Sequence, residues 1–103
     1  MKLTPLLLAA TLAASASASF AAQAAFTGHE LSGQAKVSLD QARSIALKAR
    51  PGQITDQELE KEKGGTGLRY SFDVKVQKAV YEVGVDAKTG KLLENKKEGP
   101  HPD

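Results

Sequence analysis

The chain has 103 residues, and its fourteen Lys and Arg against twelve Asp and Glu leave a formal charge of +2. This length allows one domain, and so small a total charge does not by itself indicate nucleic-acid binding. There is no cysteine, which excludes disulfides, thiolate metal ligands and a cysteine nucleophile. Two Tyr, three Phe and no Trp are too few for a platform on which single-stranded nucleic acid could stack.

Residues 1–24 have the pattern of a signal peptide. Lys2 provides a positive start, a short apolar stretch follows, and Ala22-Gln23-Ala24 matches a small-residue cleavage site. A membrane-spanning helix needs about 20 apolar residues, and this apolar stretch is about half as long. The sequence therefore predicts cleavage between Ala24 and Ala25, with cleavage after Ala21 or Ala22 as alternatives. The predicted product is periplasmic or secreted and has no membrane span after processing.

The composition divides the remaining chain into three parts. Residues 25–36 have no clear period and are predicted to be a flexible lead-in. Residues 37–94 carry the periodic segments and are predicted to be the folded domain. Residues 95–103, with two prolines and four charged residues, are predicted to be a disordered tail.

One helix is well signalled near the start of the domain. Ser38 and Gln41 have the spacing of a capping box, in which each side chain satisfies a free backbone N–H of the first turn. Apolar residues then recur every three or four positions and line one face. Pro51-Gly52 is predicted to end the helix. The residues of the apolar face are Leu39, Ala42, Ile45, Ala46 and Ala49.

After Gly52 the period changes to two, which is typical of strands with one buried face. Apolar and polar residues alternate over Leu68–Val76 and again over Tyr81–Asp86. Only Gln77-Lys78 separates Val76 from Ala79, so the two segments predict a hairpin with a two-residue loop. A more polar strand over Thr55–Lys63 is predicted to turn at Gly64–Gly67 and to place Leu59 opposite Phe72. A short last strand is predicted at Lys91–Glu94. The predicted hairpin pairs are Val74 with Tyr81, Phe72 with Val83, and Tyr70 with Val85.

These elements predict an α+β fold, with one N-terminal helix packed on a three- to four-stranded antiparallel β-meander. One face of the sheet is predicted to lie under the helix and the other to face water.

The run LDQARSIALKARPGQITDQELEKEKGGTGLRYSFDVKV, followed by YEVGVDAKTGKLL, resembles the PepSY domain. The matching features are an A-x-x-I-A-L helix ending in P-G, an E-L-E strand, and a final Y-E-V-x-V-D-A-x-T-G-K segment. The resemblance spans about 39–93. It implies a domain of the kind found beside thermolysin-like peptidases, without catalytic residues. Such a domain is proposed to modulate or inhibit peptidases, and here it would act in trans.

Asp56, Glu58, Glu60 and Glu62 alternate along the predicted polar strand, so they are expected to project from one sheet face. Two hypotheses remain for this acidic stripe: a docking site for a basic partner, or an ordinary solvated surface. A flat strand offers neither a calcium cage nor a pocket that could shift a carboxylate pKa for catalysis.

The sequence therefore predicts no catalytic, cofactor or metal residues. The predicted function is that of an exported, non-enzymatic protein that binds and modulates, or inhibits, another exported protein, with a metallopeptidase as the candidate. The alternatives are a small-ligand or metal-sensing module of the cell envelope, and a structural envelope protein.

Overall fold

The computed structural model describes residues 26–99. The four strands form one sheet in the order β1-β2-β3-β4, and all neighbouring strands are antiparallel. The helix packs on the central strands of this sheet, so the predicted α+β fold is confirmed, with four strands. The elements are a 3-10 helix at His29–Gln34, α1 at Leu39–Ala49, β1 at Gln53–Lys61, β2 at Leu68–Val76, β3 at Ala79–Asp86 and β4 at Leu92–Lys97.

Helix α1 begins at the predicted capping box. The Ser38 hydroxyl accepts a hydrogen bond from the Gln41 N–H at 3.1 Å, and the Gln41 side chain accepts one from the Ser38 N–H at 2.9 Å. Ala42 and Ala46 are completely buried. Because alanine is small, the helix backbone can approach the sheet closely at these positions. The helix ends at Ala49, just before the Pro-Gly pair that cannot continue it.

The hairpin of β2 and β3 has the predicted register. Its two-residue loop begins at Gln77, which has a φ of 58°. A positive φ at this position is what the tight primed hairpin turns require, although glycine or asparagine usually provides it. The predicted pairs Val74 with Tyr81, Phe72 with Val83, and Tyr70 with Val85 are all present.

The register of β1 differs from the prediction. Leu59 lies opposite Tyr70, while Phe72 lies opposite Gln57. Strand β1 ends at Lys61, two residues before the predicted end, because the turn extends over six residues from Glu62 to Gly67. An irregularity between Ile54 and Asp56 shifts the pairing once more. Leu59 nevertheless faces the core, as predicted, and is 2% exposed.

The lead-in differs from the flexible segment that the sequence predicts. Phe26 is buried and its ring lies 6.5 Å from that of Tyr70, and Thr27 pairs in parallel with Glu58 of β1. The Tyr70 hydroxyl in turn donates to the Val37 carbonyl oxygen at 2.7 Å, which anchors the entry to α1. A large aromatic side chain next to an open sheet edge supplies the driving force for this packing.

The end of the domain also differs, because β4 continues to Lys97, inside the predicted tail. Pairing of Lys97 with Tyr81 accounts for the three extra residues. The predicted signal peptide, its cleavage site at Ala24 and Ala25, and the last residues of the predicted tail lie outside the described residues.

Candidate protein-binding face

The face of the sheet opposite α1 carries polar side chains from all four strands. The predicted residues Asp56, Glu58 and Glu60 lie on this face, and Glu62 follows directly after the end of β1. We call the six carboxylates Asp56, Glu58, Glu60, Asp73, Glu82 and Glu94 the acidic face. The strand registers arrange the residues on this side of the sheet in three rows that run from β1 towards β4. The rows are Asp56–Asp73–Glu82–Lys96, Glu58–Ser71–Gly84–Glu94 and Glu60–Arg69–Asp86.

The first of these rows places like charges side by side. Asp56 lies directly opposite Asp73, and Asp73 lies directly opposite Glu82. Like charges at directly opposed positions of a sheet are destabilising. The fold therefore maintains a repulsive arrangement on the sheet face opposite α1.

The pKa values of these carboxyls reflect the same crowding. Burial raises the pKa of Glu58, and the neighbouring charges of Glu60 and Asp56 raise it further. For Asp73 and Glu82, burial is again the largest cause of a raised pKa, followed by nearby carboxylates. A positive charge brought to this surface would relieve the part of these shifts that comes from the neighbouring carboxylates.

The cations on this face compensate only part of its negative charge. Arg69 contacts Glu94 at 3.2 Å and Lys96 contacts the same Glu94 at 3.7 Å; these are the ion pairs within 4 Å that the described residues form. Gly84 leaves the space that the Arg69 guanidinium occupies, since a Cβ there would lie 3.1 Å from Arg69 Nη1. Three cations, including the exposed Lys75, stand among six carboxylates, so the face is net negative on a chain whose total charge is +2.

The carboxylate of Asp86 has a different role from those of the acidic face. Its side chain is 1% exposed. It accepts hydrogen bonds from the Thr66 N–H at 2.7 Å, the Thr66 hydroxyl at 2.8 Å, the Lys88 N–H at 2.8 Å and the Thr89 N–H at 3.1 Å. Burial would raise the pKa of Asp86, but these four hydrogen bonds outweigh burial and lower it to about 2. Asp86 therefore joins the β1–β2 loop to the β3–β4 turn.

Sequence reasoning placed Asp86 only at the end of the second hairpin strand, and it missed the acidic residues of β2, β3 and β4. The Asp86 contact requires a close approach, since a Cβ on Gly65 would lie 2.3 Å from Asp86 Oδ2. The available signals were the glycine run of the β1–β2 loop and the D-A-x-T-G segment. Neither signal alone indicates that these two segments contact each other. Asp73, Glu82 and Glu94 could have been found by extending the period-two pattern across each paired strand.

Within residues 26–99, no group of three or more His, Cys, Asp or Glu side chains is arranged to hold a metal ion. Nor does the part of the chain described contain a helix long and apolar enough to cross a membrane.

Comparison with known proteins gives one positive finding. The profile of the family described as the PepSY "Peptidase propeptide and YPEB domain" matches residues 36–96, which is more than half of the chain. Searches of curated proteins and of solved structures gave no significant match. Domains of this family are typically non-catalytic propeptide or regulatory modules and are usually found in exported proteins. The match covers α1 and all four strands except the final residue of β4, so the chain belongs to the PepSY family.

Proposed function

We propose that this chain is an exported PepSY protein that carries out no chemistry itself and binds a basic surface of another exported protein through its acidic face. The family assignment and the signal-peptide pattern of residues 1–24 support the exported, non-catalytic part of this proposal.

The observation that carries the binding proposal is the row of three adjacent carboxylates, Asp56, Asp73 and Glu82, on the uncovered side of the sheet. The mutual repulsion of these carboxylates opposes folding. If the row were only a solvated surface, this cost in stability would have no compensating function. Lysine and arginine side chains of a partner would convert this repulsion into attraction. Complementary charges of this kind raise the association rate more than they raise the affinity.

A peptidase is the partner class that the family description favours, since it names peptidase propeptides. A peptidase that is bound in trans would be modulated or inhibited by occlusion, because the acidic face offers a surface and no reactive group. The proposed partner is a co-exported metallopeptidase with a basic patch.

The test uses the processed chain, Ala25–Asp103, in two assays against co-exported peptidases: surface plasmon resonance and peptidase activity. The triple variant Asp56→Asn, Asp73→Asn, Glu82→Gln, which removes the charges of this row, is expected to associate about tenfold more slowly at low salt. The difference should vanish above about 0.5 M salt, where the Debye length is only a few Å. The matched control is Glu30→Gln, which removes a carboxylate from the exposed 3-10 helix.

An unchanged association rate in the triple variant would show that the acidic face is an ordinary solvated surface. Binding without any change of peptidase activity would support docking of the partner and contradict inhibition of the peptidase.

A further inference from the structure

An open cavity lies between the lead-in and the first turn of α1. It is lined by Leu39 and Tyr70 of the core, so it lies on the helix side of the sheet, away from the acidic face. Its volume is about 300 Å³, at the lower end of the range of roughly 300–1,000 Å³ for small-molecule sites. The 3-10 helix His29–Gln34 has no buried side chain, so it does not fill the space between Phe26 and α1.

The apolar wall of this cavity is held in place by packing and by hydrogen bonds. The ring of Phe26 is buried and lies 6.5 Å from that of Tyr70, whose hydroxyl donates to the Val37 carbonyl oxygen at 2.7 Å. On the other side of the cavity, the N–H groups of Lys36 and Val37 both donate to the Ala87 carbonyl oxygen at 2.9 Å. A ligand would therefore enter a site that is largely formed before it binds, which reduces the entropy cost of binding.

The polar side chains that line the cavity favour an anion. Lys36 is the single charged residue among the described residues that line it, and its ammonium donates hydrogen bonds but cannot accept them. The Ser38 hydroxyl already accepts from the Gln41 N–H, so its proton is available to a ligand. A second hydroxyl comes from Ser32. The polar end of a matching ligand is therefore a negatively charged acceptor, and the rest of the ligand is apolar.

We infer that this cavity binds a small molecule with one carboxylate and an apolar body about the size of an aromatic ring. The body packs against Phe26 and Tyr70, and the carboxylate lies beside the Lys36 ammonium and the Ser38 hydroxyl. This inference goes beyond the proposed function, because the site lies on the other side of the sheet and requires no partner protein. A free organic acid and the C-terminal residue of a peptide both have this chemistry.

The test is an NMR titration of the isotopically labelled exported protein with 3-phenylpropionate, and with 3-phenylpropionamide as the uncharged control. The backbone N–H signals of residues 36–39 are expected to shift and to saturate at millimolar 3-phenylpropionate, as befits so small a ligand. The uncharged control should bind about threefold to fivefold more weakly, which corresponds to one exposed ion pair. The N–H signals of Glu58 and Asp73 on the acidic face are internal controls and should not shift.

Two variants separate the charge of the cavity from its volume. Lys36→Gln should weaken binding of 3-phenylpropionate about threefold to fivefold and should leave binding of the uncharged control unchanged. The matched variant is Lys48→Gln, which removes an exposed lysine from the last turn of α1 and should change neither affinity. Ala35→Leu enlarges a side chain that lines the cavity, and it should abolish binding of both probes while the signals of the acidic face show that the domain is folded.

The inference would be overturned if residues 36–39 showed no saturable shifts, if the shifts were centred on the acidic face, or if the two probes bound equally well. Equal effects of Lys36→Gln and Lys48→Gln would also overturn it. N-acetylphenylalanine serves as a third probe: tighter binding than that of 3-phenylpropionate assigns the cavity to peptide C-termini, and weaker binding assigns it to free acids. A failed search for a peptidase partner would leave these results untouched, and a failed titration would leave binding through the acidic face untouched.

Discussion

Asp86 connects two loops through a single buried carboxylate, and Asp86→Asn is expected to destabilise the domain by about 2–4 kcal/mol at pH 7. The amide oxygen of asparagine can replace Oδ1, which accepts from the Thr66 hydroxyl and the Lys88 and Thr89 N–H groups. Its NH₂ group then points at the Thr66 N–H, which is 2.7 Å from Oδ2 in the structure. Two donors face each other there, and the negative charge that strengthens all four hydrogen bonds is gone.

The pKa of Asp86 provides an independent magnitude. It falls from 3.8 to about 2 on folding, and at ~1.4 kcal/mol per pKa unit this corresponds to about 2 kcal/mol of stability. Because the pKa is lower in the folded chain than in the unfolded chain, this contribution is complete above about pH 5. It is lost as the pH falls from there to 2.

The acidic face has the opposite dependence on pH. The pKa values of Glu58, Asp73 and Glu82 are raised by folding, so these groups oppose folding when ionised and cease to do so when protonated. The free energy of unfolding of the natural chain should therefore rise as the pH falls from 7 through the raised pKa values of these groups, and fall again at lower pH as Asp86 becomes protonated. In Asp86→Asn, the rise of the free energy of unfolding should remain, and the fall at lower pH should be smaller.

Urea unfolding followed by far-UV circular dichroism between pH 2 and pH 7 measures both curves. The matched control is Asp56→Asn, which removes an exposed carboxylate that lies opposite Asp73, and it should change stability by less than about 0.5 kcal/mol or increase it slightly. If Asp86→Asn lowered the free energy of unfolding equally at pH 2 and pH 7, the assignment of a charged, hydrogen-bonded role to Asp86 would be refuted.

Three further outcomes are expected. Phe72→Ala should lower the free energy of unfolding by about 3–5 kcal/mol in urea melts, because Phe72 is 1% exposed. Substitution of the exposed Lys75 by alanine should lower it by less than about 0.5 kcal/mol. Equal effects of the two substitutions would contradict the assignment of the two sheet faces. Phe26→Ala should lower the free energy of unfolding by about 2–3 kcal/mol and expose residues 27–34 to limited proteolysis, and an unaltered digestion pattern would mean that Phe26 does not anchor the lead-in. Intact-mass analysis of the exported protein should give a chain that begins at Ala25, and a mass that includes Met1 would contradict processing.

The acidic face could be only partly predicted from the sequence. The alternation of Asp56, Glu58 and Glu60 places them on one side of any strand, whatever its neighbours are. Which side chains lie beside them depends on strand order and register, and the irregularity in β1 between Ile54 and Asp56 determines that Asp73 is the residue opposite Asp56.

The elements with local signals could be predicted from the amino-acid sequence alone. The capping box at Ser38, the stop after Ala49, and the β2–β3 hairpin with its two-residue loop depend on residues within a few positions of one another, and the structure contains each of them. Three contacts are known from the folded structure and could not be predicted from the sequence: the pairing of Leu59 with Tyr70, the packing of Phe26 against Tyr70, and the burial of Asp86 between two loops about 20 residues apart. These contacts form when burial of a shared core brings distant segments of the chain together. Such contacts leave no periodic pattern or fixed spacing in the sequence.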